Sequence, residues 1–306
     1  MATNVTITLD ELIQLQADAR GCSFLPRQPV HSLLSGRHSS RLRGRGLAFQ
    51  ELRHYAQGDD VRTMDWKATA RLRSPHVRVY TEERERPVLL VVDQRRPMFF
   101  GSRRAMKSVA AAEVAALTTW RTLQAGDRIG GIVFNDEELI DLRPQRSQTA
   151  GLRLLHEVVR MNQALAEHSD QPPTVTINQA LEAAVRRATH DHLVVLISDL
   201  DGANDDTRRL ATTLAAHNDV LIVVVYDPLG ASLHNHPGMI ASTPDGALSL
   251  PAGTDFPAAF TQAFAARLGE WRGIFQALRV PLLPIATTES PSQQLRDLFG
   301  QHYHGA

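Results

Sequence analysis

Apolar and polar positions change period several times along the chain, and those changes sort it into elements. Leu9 to Ala19 reads as a short helix with Thr8 or Asp10 near its start, and Arg20 to Arg45, rich in Gly, Ser, Pro, Arg and His, reads as an exposed loop. Alternation in Val77-Arg78-Val79-Tyr80 predicts a strand. The continuous apolar run Pro87-Val88-Leu89-Leu90-Val91-Val92, with its β-branched residues, predicts a buried parallel strand. Beyond it strands and helices alternate. Helices are expected over Ala105 to Leu123, Thr149 to Ala166, Ile177 to Ala188, Asp205 to Ala216, Phe256 to Leu278 and Ser292 to Phe299. Strands are expected over Arg128 to Phe134, His192 to Ser198, Val220 to Tyr226 and Val280 to Ile285, with a tight turn at Asn135-Asp136 leading into Glu138 to Leu142. Pro237 to Pro251 reads as a short hairpin around Pro244-Asp245-Gly246.

This alternation implies an α/β fold: a mainly parallel sheet with helices on both faces. Three apolar runs, VLLVVD, LVVLISD and VLIVVVYD, each end in an aspartate. Ligands of open α/β sheets sit beyond the carboxyl ends of strands, so Asp93 and Asp199 stand where a site belongs and Asp227 follows the same pattern.

The densest chemistry precedes the first of these runs. From Gly44 to Asp93 the chain packs Arg, Asp, Glu, Trp and Tyr more closely than a core requires, and such groups are costly to bury unless paired. The run Glu51-Leu52-Arg53-x-Tyr55-x-x-Gly58-Asp59-Asp60-x-Arg62-x-x-Asp65-Trp66-x-Ala68-x-Ala70-Arg71 resembles the signature of the bacterial domain of unknown function 58 family, as does Val77-Arg78-Val79-Tyr80-x-Glu82-Glu83-x-Glu85-Arg86. The match is nearly gap-free and covers the first third of the chain. That family is similar to von Willebrand factor A domains, and its members are found beside MoxR-type AAA+ ATPases. The resemblance therefore implies an N-terminal extension over residues 1–86 and a von Willebrand factor A-like domain over 87–306. It also implies a MoxR-type ATPase as partner.

The segment Glu51, Arg53, Tyr55, Asp59, Asp60, Arg62, Asp65, Trp66, Arg71, Arg78, Tyr80, Glu82 and Glu83 has two compatible readings. One is a set of internal salt bridges, with Trp66 and Tyr55 packed beside Ala68 and Ala70. The other is a partner surface built from Arg53, Arg62, Arg71 and Arg73, since Trp, Tyr and Arg are the usual interface anchors.

Charge sharpens the second reading. The 306-residue chain is neutral overall, yet Arg20 to Arg78 holds twelve basic residues against four acidic ones, leaving +8 there and −8 elsewhere. All but two of the 33 basic residues are arginine; the exceptions are Lys67 and Lys107. The composition, 43% hydrophobic and 22% charged, is that of an ordinary globular protein. The lone Cys22 excludes an internal disulfide framework, and no apolar run reaches the roughly 20 residues that span a bilayer. With no basic leader or apolar signal region at the N-terminus, a cytoplasmic location is expected.

Metal-binding domains of the von Willebrand type carry D-x-S-x-S after the first strand, a later threonine and an aspartate after the fourth strand, together holding Mg²⁺ through hard oxygens. Here the motif reads Asp93-Gln94-Arg95-Arg96-Pro97, so both serines are lost. The threonine falls at Val175 or Thr176, and Asp199 is retained. A cation at Arg95 opposes Mg²⁺, and Arg95 or Arg96 could instead pair with Asp93 or Asp199 in place of the ion. The reading is a degenerate site at Asp93, Thr176 and Asp199 that needs no cofactor.

His234-Asn235-His236, His302, His304 and Cys22 lack the neighbours that metal binding or nucleophilic catalysis requires. No Walker A motif and no G-x-G-x-x-G fingerprint is present. The expected function is a non-enzymatic interaction module, an adaptor or co-chaperone working on a client with a MoxR-type ATPase. The alternatives are a metal-dependent hydrolase using Asp93, Asp199 and Asp201, and nucleic-acid binding through Arg37 to Arg45.

Overall fold

The computed structural model describes residues 4–21, 47–82, 86–167, 172–231, 240–243, 246–249, single positions and short runs between 262 and 278, and 280–300. Contacts divide the chain into two compact units: Met1–Val30 with Arg86–Ala306, and His31–Glu85. The 1–86 stretch is thus shared between the units.

The large unit begins with α1 (Leu9–Gln14), closed by a capping box in which Thr8 and Glu11 satisfy each other's backbone N–H groups. The helix stops earlier than the sequence suggests. Hydrogen bonding shortens to three-residue spacing at Gln16 and Ala17, and a 3₁₀ turn follows at Asp18–Gly21. Side chains from much later in the chain hold this segment: Asn162 accepts from Ile7 N at 2.9 Å, and Trp120 Nε1 donates to Leu12 O at 2.8 Å.

The small unit pairs β1 (Leu47–His54) with β2 (His76–Glu82) as an antiparallel hairpin, and α2 (Trp66–Leu72) lies in the connection. A register shift between Phe49 and Glu51 breaks the two-residue alternation of β1. That is why the sequence pattern exposes β2 and hides its partner.

The large unit continues with β3 (Val88–Asp93), α3 (Lys107–Gln124), β4 (Ile129–Phe134), β5 (Leu139–Gln145), α4 (Gln148–Ala164), α5 (Ile177–Arg187), β6 (Leu193–Ser198), α6 (Asp205–His217), β7 (Asp219–Tyr226), a single turn α7 (Pro228–Ala231), β8 (Ile240–Thr243), β9 (Gly246–Ser249), β10 (Leu282–Ala286) and α8 (Pro291–Gly300). Six strands form one sheet in the order β10-β7-β6-β3-β4-β5. Every pairing is parallel except β4 with β5, joined by the turn in which Asn135 Oδ1 accepts from Glu137 N and Glu138 N. This is the α/β class expected from the sequence, a mainly parallel sheet with helices on both faces. The expected hairpin appears as β8 and β9, its Pro244-Asp245 corner lying outside the described residues.

Each central strand is buried on both faces. In β3, Val88, Leu90 and Val92 enter one core with α3 and α4, while Leu89 and Val91 enter the other with α5 and α6. Each such side chain stabilises the fold by about 1.5–3 kcal/mol. Helix α3 is buried almost all round, from Ser108 to Trp120, because alanines at 110–112, 115 and 116 let neighbouring elements approach it from several sides.

One glycine fixes the antiparallel edge. A Cβ on Gly130 would stand 2.5 Å from Leu142 O and 2.5 Å from Pro144 N. Both are backbone atoms that cannot swing away. Gly130→Ala is expected to destabilise the chain by about 1–3 kcal/mol, read as a lowered urea midpoint. An unchanged midpoint would mean that β5 slides without cost.

Candidate functional site

Because β3, β6 and β7 are parallel neighbours, their carboxyl ends share one rim. Asp93 ends β3, Asp199 follows β6 and Asp227 follows β7.

Asp93 is fully buried and saturated. Its Oδ1 accepts from Arg95 N and Arg95 Nε, both at 3.0 Å, and its Oδ2 accepts from Arg95 Nη2 at 2.7 Å and Ser198 Oγ at 2.7 Å. Four donors occupy the four lone-pair directions of the carboxylate. Burial pushes the Asp93 carboxyl up from the usual aspartate range, against the pull of Arg95 and Ser198. Burial disfavours the Arg95 charge, but the bond to Asp93 and the field of Asp93, Asp199 and Asp136 outweigh it and hold that guanidinium above its ordinary value. Arg95 also donates to Asp201 O at 3.0 Å and lies 5.4 Å from the Phe134 ring centre. One side chain therefore ties the end of β3 to the loop after β6.

Asp199 carries its own cation. Lys107 Nζ, at the first residue of α3, donates to Asp199 Oδ2 at 2.6 Å, and Asp201 N reaches Oδ1 at 2.9 Å. Leu200 between the two aspartates is buried and holds a left-handed φ of 61°, which turns the loop so that Asp201 N can return to Asp199. Asp227 repeats the saturation with neutral donors. Ser102 Oγ and Leu229 N bond one oxygen, at 2.7 and 2.8 Å, while Ser102 N at 2.8 Å and Thr287 Oγ1 bond the other.

These residues do not fit a resident Mg²⁺. Asp93 has no oxygen lone pair left, Asp199 faces an ammonium, and two internal cations stand where the ion's charge would be. Thr176 is the N-cap of α5, where its hydroxyl accepts from Gln179 N in a capping box. Among the described residues, no group of three or more His, Cys, Asp or Glu side chains is placed to hold a metal.

The small unit turns the dense signature into local turns and caps. Arg53 pairs with Asp59 at 2.8 Å, and Asp59 also accepts from Ala56 N. Asp60 caps a 3₁₀ turn through Arg62 N, and Asp65 caps α2 through Ala68 N while pairing with Arg78 at 2.8 Å. The Arg53 bond and then the Ala56 N–H lower the Asp59 carboxyl below its usual value; for Asp65 the Ala68 N–H leads and Arg78 follows. The arginines of both pairs are largely exposed, so screening leaves these pairs little net energy.

Two expectations need correction. Trp66 is not packed beside Ala68: it opens α2, is 66% exposed, and Ala68 is the residue α2 buries. Arg53 is engaged by Asp59, so the cations without an ion pair among the described residues of this unit are Arg62, Lys67, Arg71 and Arg73. Tyr55 is half-buried, with its N–H bonded to Pro75 O. Glu51, Tyr80 and Glu82 lie in the two strands, and their side chains fall outside the description, as does the whole of Glu83. The stretch Arg37 to Arg45, Cys22, His234 and His236, and His302 and His304 also lie outside the described residues.

Sequence reasoning missed Lys107, Ser198, Ser102 and Thr287. Lys107 alone carried a signal, as one of two lysines in an arginine-dominated chain. No described helix is long and apolar enough to cross a membrane.

A family model described as "Protein of unknown function DUF58" matches residues 51–246. Uncharacterized proteins of Mycobacterium bovis and of two Mycobacterium tuberculosis strains are each 30% identical over 220 residues, covering 72% of this chain and 68% of theirs. Among solved structures, the conserved hypothetical protein BatB from Bacteroides thetaiotaomicron is similar with a TM-score of 0.44 and 14% identity, over 71% of this chain and 98% of that one.

Proposed function

We propose, on the premise that this chain belongs to the DUF58 family of proteins of unknown function, that it is a non-enzymatic protein-interaction module. In this reading it is an adaptor or co-chaperone that works with a MoxR-type AAA+ ATPase on a client protein. The observation that carries the reading is the state of the rim. A hydrolase built on Asp93 and Asp199 needs carboxylates free to hold an ion and activate water. Here Asp93 is saturated and Asp199 is matched to Lys107. What remains for recognition is surface. The association of the resembled family with MoxR-type ATPases supports that class of partner, and the ATPase would supply the nucleotide chemistry.

The test uses the purified full chain and the MoxR-type ATPase of the same cell, mixed with ATP or ADP and separated by size exclusion. A co-eluting complex, with an altered ATP turnover rate, is the expected result. Two separate peaks under both nucleotides would overturn the adaptor reading.

A further inference from the structure

The small unit carries a surface that its described residues leave unused. Among the described residues, helix α2 is fastened on one side: Asp65 N donates to His76 O at 2.9 Å, His76 N donates to Thr69 Oγ1 at 3.0 Å, and Asp65 joins the helix cap to Arg78 on β2. Ala68 is the residue buried by this attachment.

The opposite side is built from a different chemistry. At 100° per residue, Trp66 and Ala70 share one row and Lys67 and Arg71 the next. These four and the C-cap Arg73 are exposed, Trp66 at 66%, and the turn just before adds Arg62 and an exposed Val61. Arg73 holds a left-handed C-cap, φ 55°, the position where glycine is favoured, so a cation stands where the backbone alone asks for none. Among the described side chains of this unit, the cations Arg62, Lys67, Arg71 and Arg73 stand against one acid without an ion pair, Asp60, whose carboxylate accepts from the Arg62 backbone.

We propose that this face of α2 docks an acidic protein segment carrying one apolar anchor, the anchor seated on Trp66 and the carboxylates on Arg62, Lys67, Arg71 and Arg73. The proposal rests on the reading of the chain as an interaction module. Charge complementarity selects an anionic occupant, and steers its encounter. An exposed tryptophan among arginines selects one with an apolar residue to bury, since Trp and Arg supply most interface hot spots. A single-stranded nucleic acid would ask for a series of aromatic platforms, and Trp66 is the lone exposed tryptophan: Trp120 and Trp271 are 1% and 7% exposed.

The probe is a synthetic twelve-residue acidic peptide with a central Phe, labelled for anisotropy and titrated against the full chain at physiological salt. Expected results are saturable binding, a blue shift with loss of acrylamide quenching of tryptophan emission, and at least about tenfold weaker binding by Trp66→Ala. Lys67→Glu with Arg71→Glu should weaken binding comparably at an unchanged melting temperature. The same peptide with Ser for Phe should bind more weakly to the wild type. Binding indifferent to both variants overturns the proposal. So does tryptophan emission already shielded in the free chain, which would mean that the large unit or a second copy covers the face. Tighter binding of a short duplex or of anionic phospholipid vesicles, displacing the peptide, also overturns it.

Failure of the two readings is separable. Peptide binding indifferent to Trp66→Ala and to Lys67→Glu/Arg71→Glu, with an ATPase complex formed by the wild type, overturns this surface and leaves the adaptor standing. Peptide binding lost in both variants, with no ATPase complex in the wild type, does the reverse.

Discussion

Arg95→Ala is expected to lower the stability of the chain by about 3–5 kcal/mol at neutral pH, because it leaves the Asp93 charge buried with its counter-ion gone. Asp93 would keep only Arg95 N and Ser198 Oγ as donors. The loop after β6 would lose the bond from Arg95 to Asp201 O as well. The penalty has a sign in pH. Burial already raises the Asp93 carboxyl, and deleting the opposing guanidinium raises it further. A carboxyl whose folded pKa lies above its unfolded value makes the fold lose stability as pH rises from the unfolded value to the folded one. The variant should therefore sit closest to wild type in acid and furthest above the folded pKa. Urea midpoints at pH 7 and pH 5 read this directly. Asp93→Asn with Arg95→Met should recover most of the loss, since removing both members of a buried pair is far less costly than removing one. A loss under 1 kcal/mol for Arg95→Ala would mean that the rim does not depend on this pair. Added Mg²⁺ restoring the single variant would mean that the guanidinium had been holding a metal site shut.

The strand ends were legible because each apolar run of β-branched residues stops where its strand stops, which places Asp93, Asp199 and Asp227 without any tertiary knowledge. Arg95 was legible for a local reason: two residues from Asp93, it can reach that carboxylate within one turn. The other partners were not. Lys107 reaches Asp199 across 92 positions and Ser102 reaches Asp227 across 125, and no periodicity links such pairs. The N-terminal segment failed for the same reason, its anchors Trp120 and Asn162 being over a hundred residues away. The signature around Trp66 allowed both internal salt bridges and a partner surface. Asp59 and Asp65 do pair with Arg53 and Arg78, and Asp60 and Asp65 cap short helical turns. Such turns consume acids locally and leave the cations and the tryptophan on the outside.

Asp227→Ala is expected to cost about 3–5 kcal/mol, on the same scale as Arg95→Ala but with the opposite pH behaviour. Asp227 joins three parts of the large unit: its own loop through Leu229 N, the turn before α3 through Ser102, and the end of β10 through Thr287. Alanine would strand four donors at a buried position, and hydrogen bonds to a charged group carry about 1.5–3 kcal/mol each before the structure relaxes. Burial alone would raise this carboxyl, yet the bonds from Thr287, Ser102 and Leu229 together hold it below the ordinary aspartate value. A folded pKa below the unfolded one contributes stability that is complete above the unfolded value and disappears as pH falls through the folded value. Wild type minus Asp227→Asn should therefore be constant from neutral pH down to about 4 and shrink below it. The asparagine keeps the shape but turns an amide N–H₂ toward donors, so it too should be less stable than wild type at pH 7. A difference that instead grows in acid would mean that Asp227 is protonated in the folded chain and that neutral hydrogen bonds, not a carboxylate, hold the rim at β7 and β10 together.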